Sequence, residues 1–230
     1  MCIGMDQPNS DPIYESEPGD DREIARAIRV CLMGTTAFPV LTFEAKQSGR
    51  EAFLKAWKTW HEDVFYRYLA PHLVRCHQAI SANEVDEALE ADCMLDERLG
   101  EAFGADEPRD RSAAAGSALY GSIDGARHVR QMDRFRKAVA EQRIPGHFAT
   151  GLAVEAALFH VPLMHLLPAC LFAEWRGALV GCQDEGSLAN SQKIGLSIGQ
   201  FIEAAGDAIR SSRETVQSSL SGAGRLVVCA

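Results

Sequence analysis

The sequence predicts an all-α protein, a single-domain helical bundle of about seven to nine helices. Three observations carry this prediction. Apolar residues recur at steps of three and four in segment after segment, no pair of alternating runs suggests adjacent strands, and several segments are rich enough in alanine and glycine to let helices pack closely. A chain of 230 residues, 47% of them hydrophobic, can bury one substantial core.

Residues 1–21 carry six acidic residues and no basic one, the opposite of a signal peptide's basic start, and read as a disordered acidic lead-in. The helical domain is expected over 22–210, with a flexible serine- and glycine-rich tail over 211–230. The first helix is "REIARAIRVCLM", with Ile24, Ile28 and Cys31 or Leu32 at helical intervals; Gly34, Pro39 and Gly49 then interrupt the pattern. From Glu51 to Gln78 a long helix aligns Phe53, Trp57, Trp60, Val64 and Tyr68 along one face, with Pro71 placed to end or kink it. "SANEVDEALEADCMLDERLGEAFG" takes Ser81 as its N-cap, aligns Val85, Leu89 and Cys93, turns its acids to solvent and ends near Gly100 or Gly104. "RDRSAAAGSALYGSI" is a small-residue helix suited to close approach by a neighbour.

"GARHVRQMDRFRKAVAEQRIPG" is strongly amphipathic: Val129, Met132, Phe135 and Val139 line one side, and Arg127, Arg130, Arg134 and Lys137 nearly the opposite one. That basic stripe reads either as a solvated helix face or as a docking site for an acidic partner. The uncharged stretch "AALFHVPLMHLLPACLFA" contains two prolines and two histidines and has acids close on either side, so it reads as two core helices meeting at Val161 and Pro162 rather than a membrane span. A last helix carries Ile194, Ile198, Phe201, Ala205 and Ile209 on its core face.

A net charge of −9 argues against a general affinity for nucleic acid or anionic membrane, and the acidic start against a helical transcription regulator. The seven cysteines are scattered and form no CxxC pair, which suits reduced thiols in the cytoplasm and supplies no structural zinc motif. No catalytic motif and no phosphate-binding loop is found. His160 and His165, with Glu155 and Glu174, are the material for an alternative, a helical-bundle enzyme binding a metal or an apolar small molecule, but the five-residue step between the histidines is poor for shared ligation. His72, Cys76 and His77 lack further ligands, and the acids Asp92, Asp96 and Glu97 read as a solvated face.

The order and spacing of these segments resemble the urease accessory protein F family. "TTAFPVLTFEAKQSG" keeps Phe38, Pro39, Val40 and Phe43 of that family's early "SPxLPVGGFSYSxGLE" signature. "DRSAAAGSALY" is similar to its "ESRQMGRALL" helix, and "GHFATGLAVEAALFHVPLMHLLPACLFAEWRGALVG" follows its long central stretch closely, over about residues 22–210 in all. The signature's paired glycines are replaced by Leu41 and Thr42, and the glycines of its last motif are missing around Ala189 to Lys193. The resemblance implies a scaffold with no catalytic residue, cofactor or resident metal, commonly a homodimer. It also implies binding to a second accessory protein and a nickel-handling GTPase, and delivery of nickel to apo-urease. By the same resemblance Arg176, Asn190, Ser191 and Gln192 are candidate partner contacts.

Overall fold

In the computed structural model residues 42–43, 50–122 and 129–181 are described, and every regular element among them is helical. The elements are α1 (Arg50–Trp60), a π-helical segment (His61–Leu69), α2 (Ala70–Ser81), α3 (Val85–Phe103), α4 (Glu107–Ser122), α5 (Val129–Ala140), α6 (Phe148–Leu158) and α7 (Leu163–Gly181). The first three join end to end, so the described residues form six rods, against an expectation of seven to nine over 22–210. The proposed boundaries near residues 21 and 210 lie outside the described residues, as do the helices expected at 22–33 and 190–210.

Pro71 does not end the long rod. The π-helical winding before it carries the chain through, with the Ala70 N–H reaching the Phe65 carbonyl, and Pro71 then sits in the first turn of α2, where a missing N–H costs nothing. The wider π turn also shifts the buried face. Phe53, Trp60 and Val64 are buried as their spacing predicts, but beyond them Phe65 and Leu69 turn inward and Tyr68 is left half-buried.

Ser81 is the last residue of α2 and bonds back to the His77 carbonyl, so it does not cap α3. The turn between them is made by Asn83 at φ 66°, with the Asn83 N–H on the Ile80 carbonyl and the Glu84 N–H on the Ala79 carbonyl, a Schellman-type ending. The α6–α7 junction repeats this geometry: His160 at φ 56° follows the C-cap residue Phe159, and the His160 and Val161 N–H groups bond the Ala157 and Ala156 carbonyls. The two helices meet at Val161 and Pro162, where the sequence places the break.

Every residue of α6 is buried, so it is the axis of the bundle, packed chiefly on α2 and α4. The small residues of α4 permit that approach. A Cβ on Gly116 would lie 1.9 Å from the Gly146 carbonyl oxygen, so only glycine lets the chain leading into α6 cross α4 there. Gly121, one turn on, faces open space. Two substitutions in one helix therefore have opposite signs: Gly116→Ala costs about 3 kcal/mol or more because backbone must move, whereas Gly121→Ala adds about 0.5–1 kcal/mol by restricting the unfolded chain. Urea unfolding of the two variants measures both.

Candidate functional site

The polar centre of the molecule is a carboxylate that the spacing rule left on the surface. Asp92 is fully buried, and its Oδ2 accepts the Gly146 N–H at 2.7 Å and its Oδ1 the His147 N–H at 3.1 Å and the Thr150 hydroxyl. It thus holds the chain entering α6 from a different helix, satisfying the N–H groups of the N-cap residue His147 and of Gly146 before it, and places negative charge at the positive end of the helix dipole. The signal was present in the sequence. Strict four-residue steps drift around a helix of 3.6 residues per turn, so the stripe beginning Val85 and Leu89 returns through Asp92, Leu95 and Leu99, while Cys93 rotates to a half-buried flank.

A second layer surrounds this carboxylate. Thr150 gives its only proton to Asp92, and its oxygen lies 2.8 Å from His72 Nε2, where it can accept a proton from the ring. Burial, reinforced by the neighbouring His147 and by Arg75 and Arg98, pushes His72 down to about 3, so the ring stays neutral. Cys76 lies 3.5 Å from His72 Nε2, and burial raises its thiol well above the ordinary value. His147 reaches Asp96 at 3.2 Å, and Arg109 holds the other Asp96 oxygen at 3.4 Å. Burial lowers His147 while Asp92 and Asp96 pull it back up. Only Glu97 of the three acids lies on an exposed position; Asp92 is sealed in and Asp96 is half-buried.

A second buried carboxylate holds the chain before α1. Glu174 Oε2 accepts the N–H groups of Thr42 and Phe43 at 2.9 and 3.0 Å, and Oε1 accepts the Thr42 hydroxyl at 2.8 Å. Trp60 donates its indole N–H to the same hydroxyl oxygen, and Phe43 enters a nest of Phe53, Trp57 and Trp60 with ring centroids 5.0–5.5 Å away. Burial raises Glu174 to about 7, against the opposing pull of those donors. Glu155, in the all-buried helix α6, has an Oε2 with no hydrogen-bond partner among the described residues, and burial alone raises it to about 8.

The expected surface residues are partly engaged within the protein. Arg130 is exposed; Arg134 pairs with Asp86 at 2.6 Å and Lys137 with Glu141 at 3.7 Å. Gln131 adds a bond to Asn83, so the polar side of α5 leans on the α2–α3 turn. Arg127, Asn190, Ser191 and Gln192 lie outside the described residues, and so does the side chain of Arg176, whose backbone belongs to α7. The four residues of the alternative metal site have separate surroundings: His160 is exposed at its turn, His165 half-buried in the first turn of α7, Glu155 buried, and Glu174 committed to Thr42 and Phe43. Among the described residues no three His, Cys, Asp or Glu side chains converge as a metal site. His77 turns away from His72 and Cys76 to the Val161 carbonyl, 2.8 Å away.

A protein-family model, UreF, matches residues 48–182, a span that contains every helix from α1 to α7. The chain belongs to the UreF family. No curated protein and no solved structure matches it. Membership in this family implies a urease accessory role in nickel insertion, the role of an accessory chaperone rather than a catalyst, in association with other urease accessory proteins. Among the described residues no helix is long and apolar enough to cross a membrane. The Asp92 centre falls inside the matched span, whereas Thr42 and Phe43 precede it.

Two stability experiments follow from these carboxylates. Asp92→Ala strands three buried donors and costs about 3–5 kcal/mol, while Asp92→Asn keeps an acceptor and costs less, as denaturant midpoints would show. Glu155 has a folded value near 8, above its ordinary 4.5, so the stability present below about pH 4.5 is lost as the pH rises through about 8. Glu155→Gln therefore matches the wild type at pH 5 and exceeds it at pH 8 by on the order of 3 kcal/mol, measured by thermal melts across that range.

Proposed function

We propose that this chain is a non-catalytic scaffold in the assembly of the urease nickel centre, acting in the cytoplasm as a homodimer. It binds a second accessory protein and a nickel-handling GTPase, and together they deliver nickel to apo-urease. The single observation that carries the reading is the family match across residues 48–182, the whole described bundle. The chemistry of the interior agrees with it: the Asp92 carboxylate is occupied by the chain entering α6, and the Glu174 carboxylate by Thr42 and Phe43, so these two acids serve to hold the fold together.

Contact with partners falls to the surface. Arg130, Arg134 and Lys137 of α5, joined by Arg127, form a basic face for an acidic partner surface, and Arg176, Asn190, Ser191 and Gln192 form further contacts. The Arg134–Asp86 and Lys137–Glu141 pairs are exposed, so their rearrangement on binding costs little.

The Arg130→Glu and Arg134→Glu double variant, co-expressed with apo-urease, the accessory protein and the GTPase, tests the surface. Its helicity and melting temperature stay close to wild type, while co-purification of the partners falls about tenfold and urease nickel content falls with it. Unchanged co-purification would remove the basic face from the proposal. Urease that acquires its nickel normally after deletion of the gene would remove the accessory role itself.

A further inference from the structure

The turn at Asn83 folds α2 back on α3, and a groove of about 560 Å³ runs between the two helices. Its floor is built from Ala79, Ala91, Leu95 and the edge of His72, small or apolar groups that let another backbone come close. Midway, Arg75 Nε bonds Glu87 at 3.2 Å, its Nη1 donates to the Met94 sulfur and its Nη2 lies 4.0 Å from Glu90, so the cation at the centre of the groove is already paired. The ends differ. Glu84 borders the end at the turn and Arg98 the opposite end, both exposed and neither in an ion pair among the described residues.

Length decides what such a groove accepts. Glu84 and Arg98 are fourteen positions apart, which at the helical rise is about 21 Å. A compact small molecule cannot meet both charges. The volume spread along that length leaves a channel about one side chain wide, suited to a single row of side chains on a helix of about four turns.

We propose that the α2–α3 groove is a docking site for an amphipathic helix of a partner protein. That helix carries a basic residue in its first turn for Glu84, a row of apolar residues for the Ala79–Leu95 floor, and a carboxylate in its last turn for Arg98. Its N-terminus lies at the Glu84 end, so the dipoles of its free N–H and C=O groups match the same two charges. This site is distinct from the basic face of α5 and does not depend on the urease reading.

The test uses the full-length chain and a fluorescent synthetic peptide of about sixteen residues, with lysine in the first turn, leucines along one face and glutamate in the last turn. Its twin has lysine and glutamate exchanged. The twin is intrinsically the better helix, since its charges favour its own dipole, so helicity works against the expected result. Fluorescence anisotropy is expected to show the first peptide binding about tenfold tighter than the twin, and Ala82→Trp, which plugs an exposed wall of the groove, weakening it about tenfold. Glu84→Lys with Arg98→Glu inverts the preference. No binding by the first peptide, equal affinity for the two, or binding untouched by the tryptophan each overturns the proposal. So does a preference that survives the double exchange in a chain whose circular dichroism is unchanged.

Discussion

The bundle depends on one buried carboxylate. Asp92 belongs to α3 but answers the N–H groups at the start of α6, the helix buried on every side. The N-cap residue His147 makes no side-chain cap bond, and it and Gly146 are buried, so without an external acceptor their N–H groups would be unpaired donors in the core. Placing the acceptor on a neighbouring helix solves this and also sets the relative position of α3 and α6. Gly116 then allows the same stretch of chain to cross α4 at backbone contact, and Thr150 passes the constraint to His72 on α2. Four helices are thus referred to one pair of oxygen atoms.

Glu174 repeats the device at the other end of the described chain. It grips two backbone N–H groups and a hydroxyl, and so sets Phe43 among the rings of Phe53, Trp57 and Trp60. Phe43, which precedes the span that the family model matches, acts here through packing. Buried charges of this kind contribute little net stability compared with apolar replacements, yet each becomes costly once its partners are removed, which makes them devices of arrangement.

Much of this was legible in the residues. Met132 and Phe135 are buried on the inner face of α5, the break at Val161 and Pro162 lies between α6 and α7, and α3 ends at Phe103 just before Gly104, because 3.6-residue periodicity and helix-ending signals are local properties. The departures have physical causes of two kinds. One is winding: the π segment before Pro71 turns Phe65 and Leu69 inward in place of Tyr68, and a drifting helical stripe carries Asp92 into the core in place of Cys93. The other is competition for hydrogen bonds, as at Ser81, which bonds back into α2 while the left-handed Asn83 ends that helix.

By itself the sequence determined that the chain is helical, where most of its helices run and which family it belongs to, because each rests on short-range periodicity or on the order of segments along the chain. Only the tertiary structure decided what the acids do. Asp92, Asp96 and Glu97 are near neighbours with similar chemistry. Helical phase sets Asp92 on the buried stripe and Glu97 off it, but it does not name the groups that Asp92 and Asp96 meet. Those groups lie opposite: Gly146, His147 and Thr150 for Asp92, and His147 and Arg109 for Asp96. A carboxylate's role follows from the donors that folding brings to it, and those of Asp92 lie more than fifty residues away in the chain.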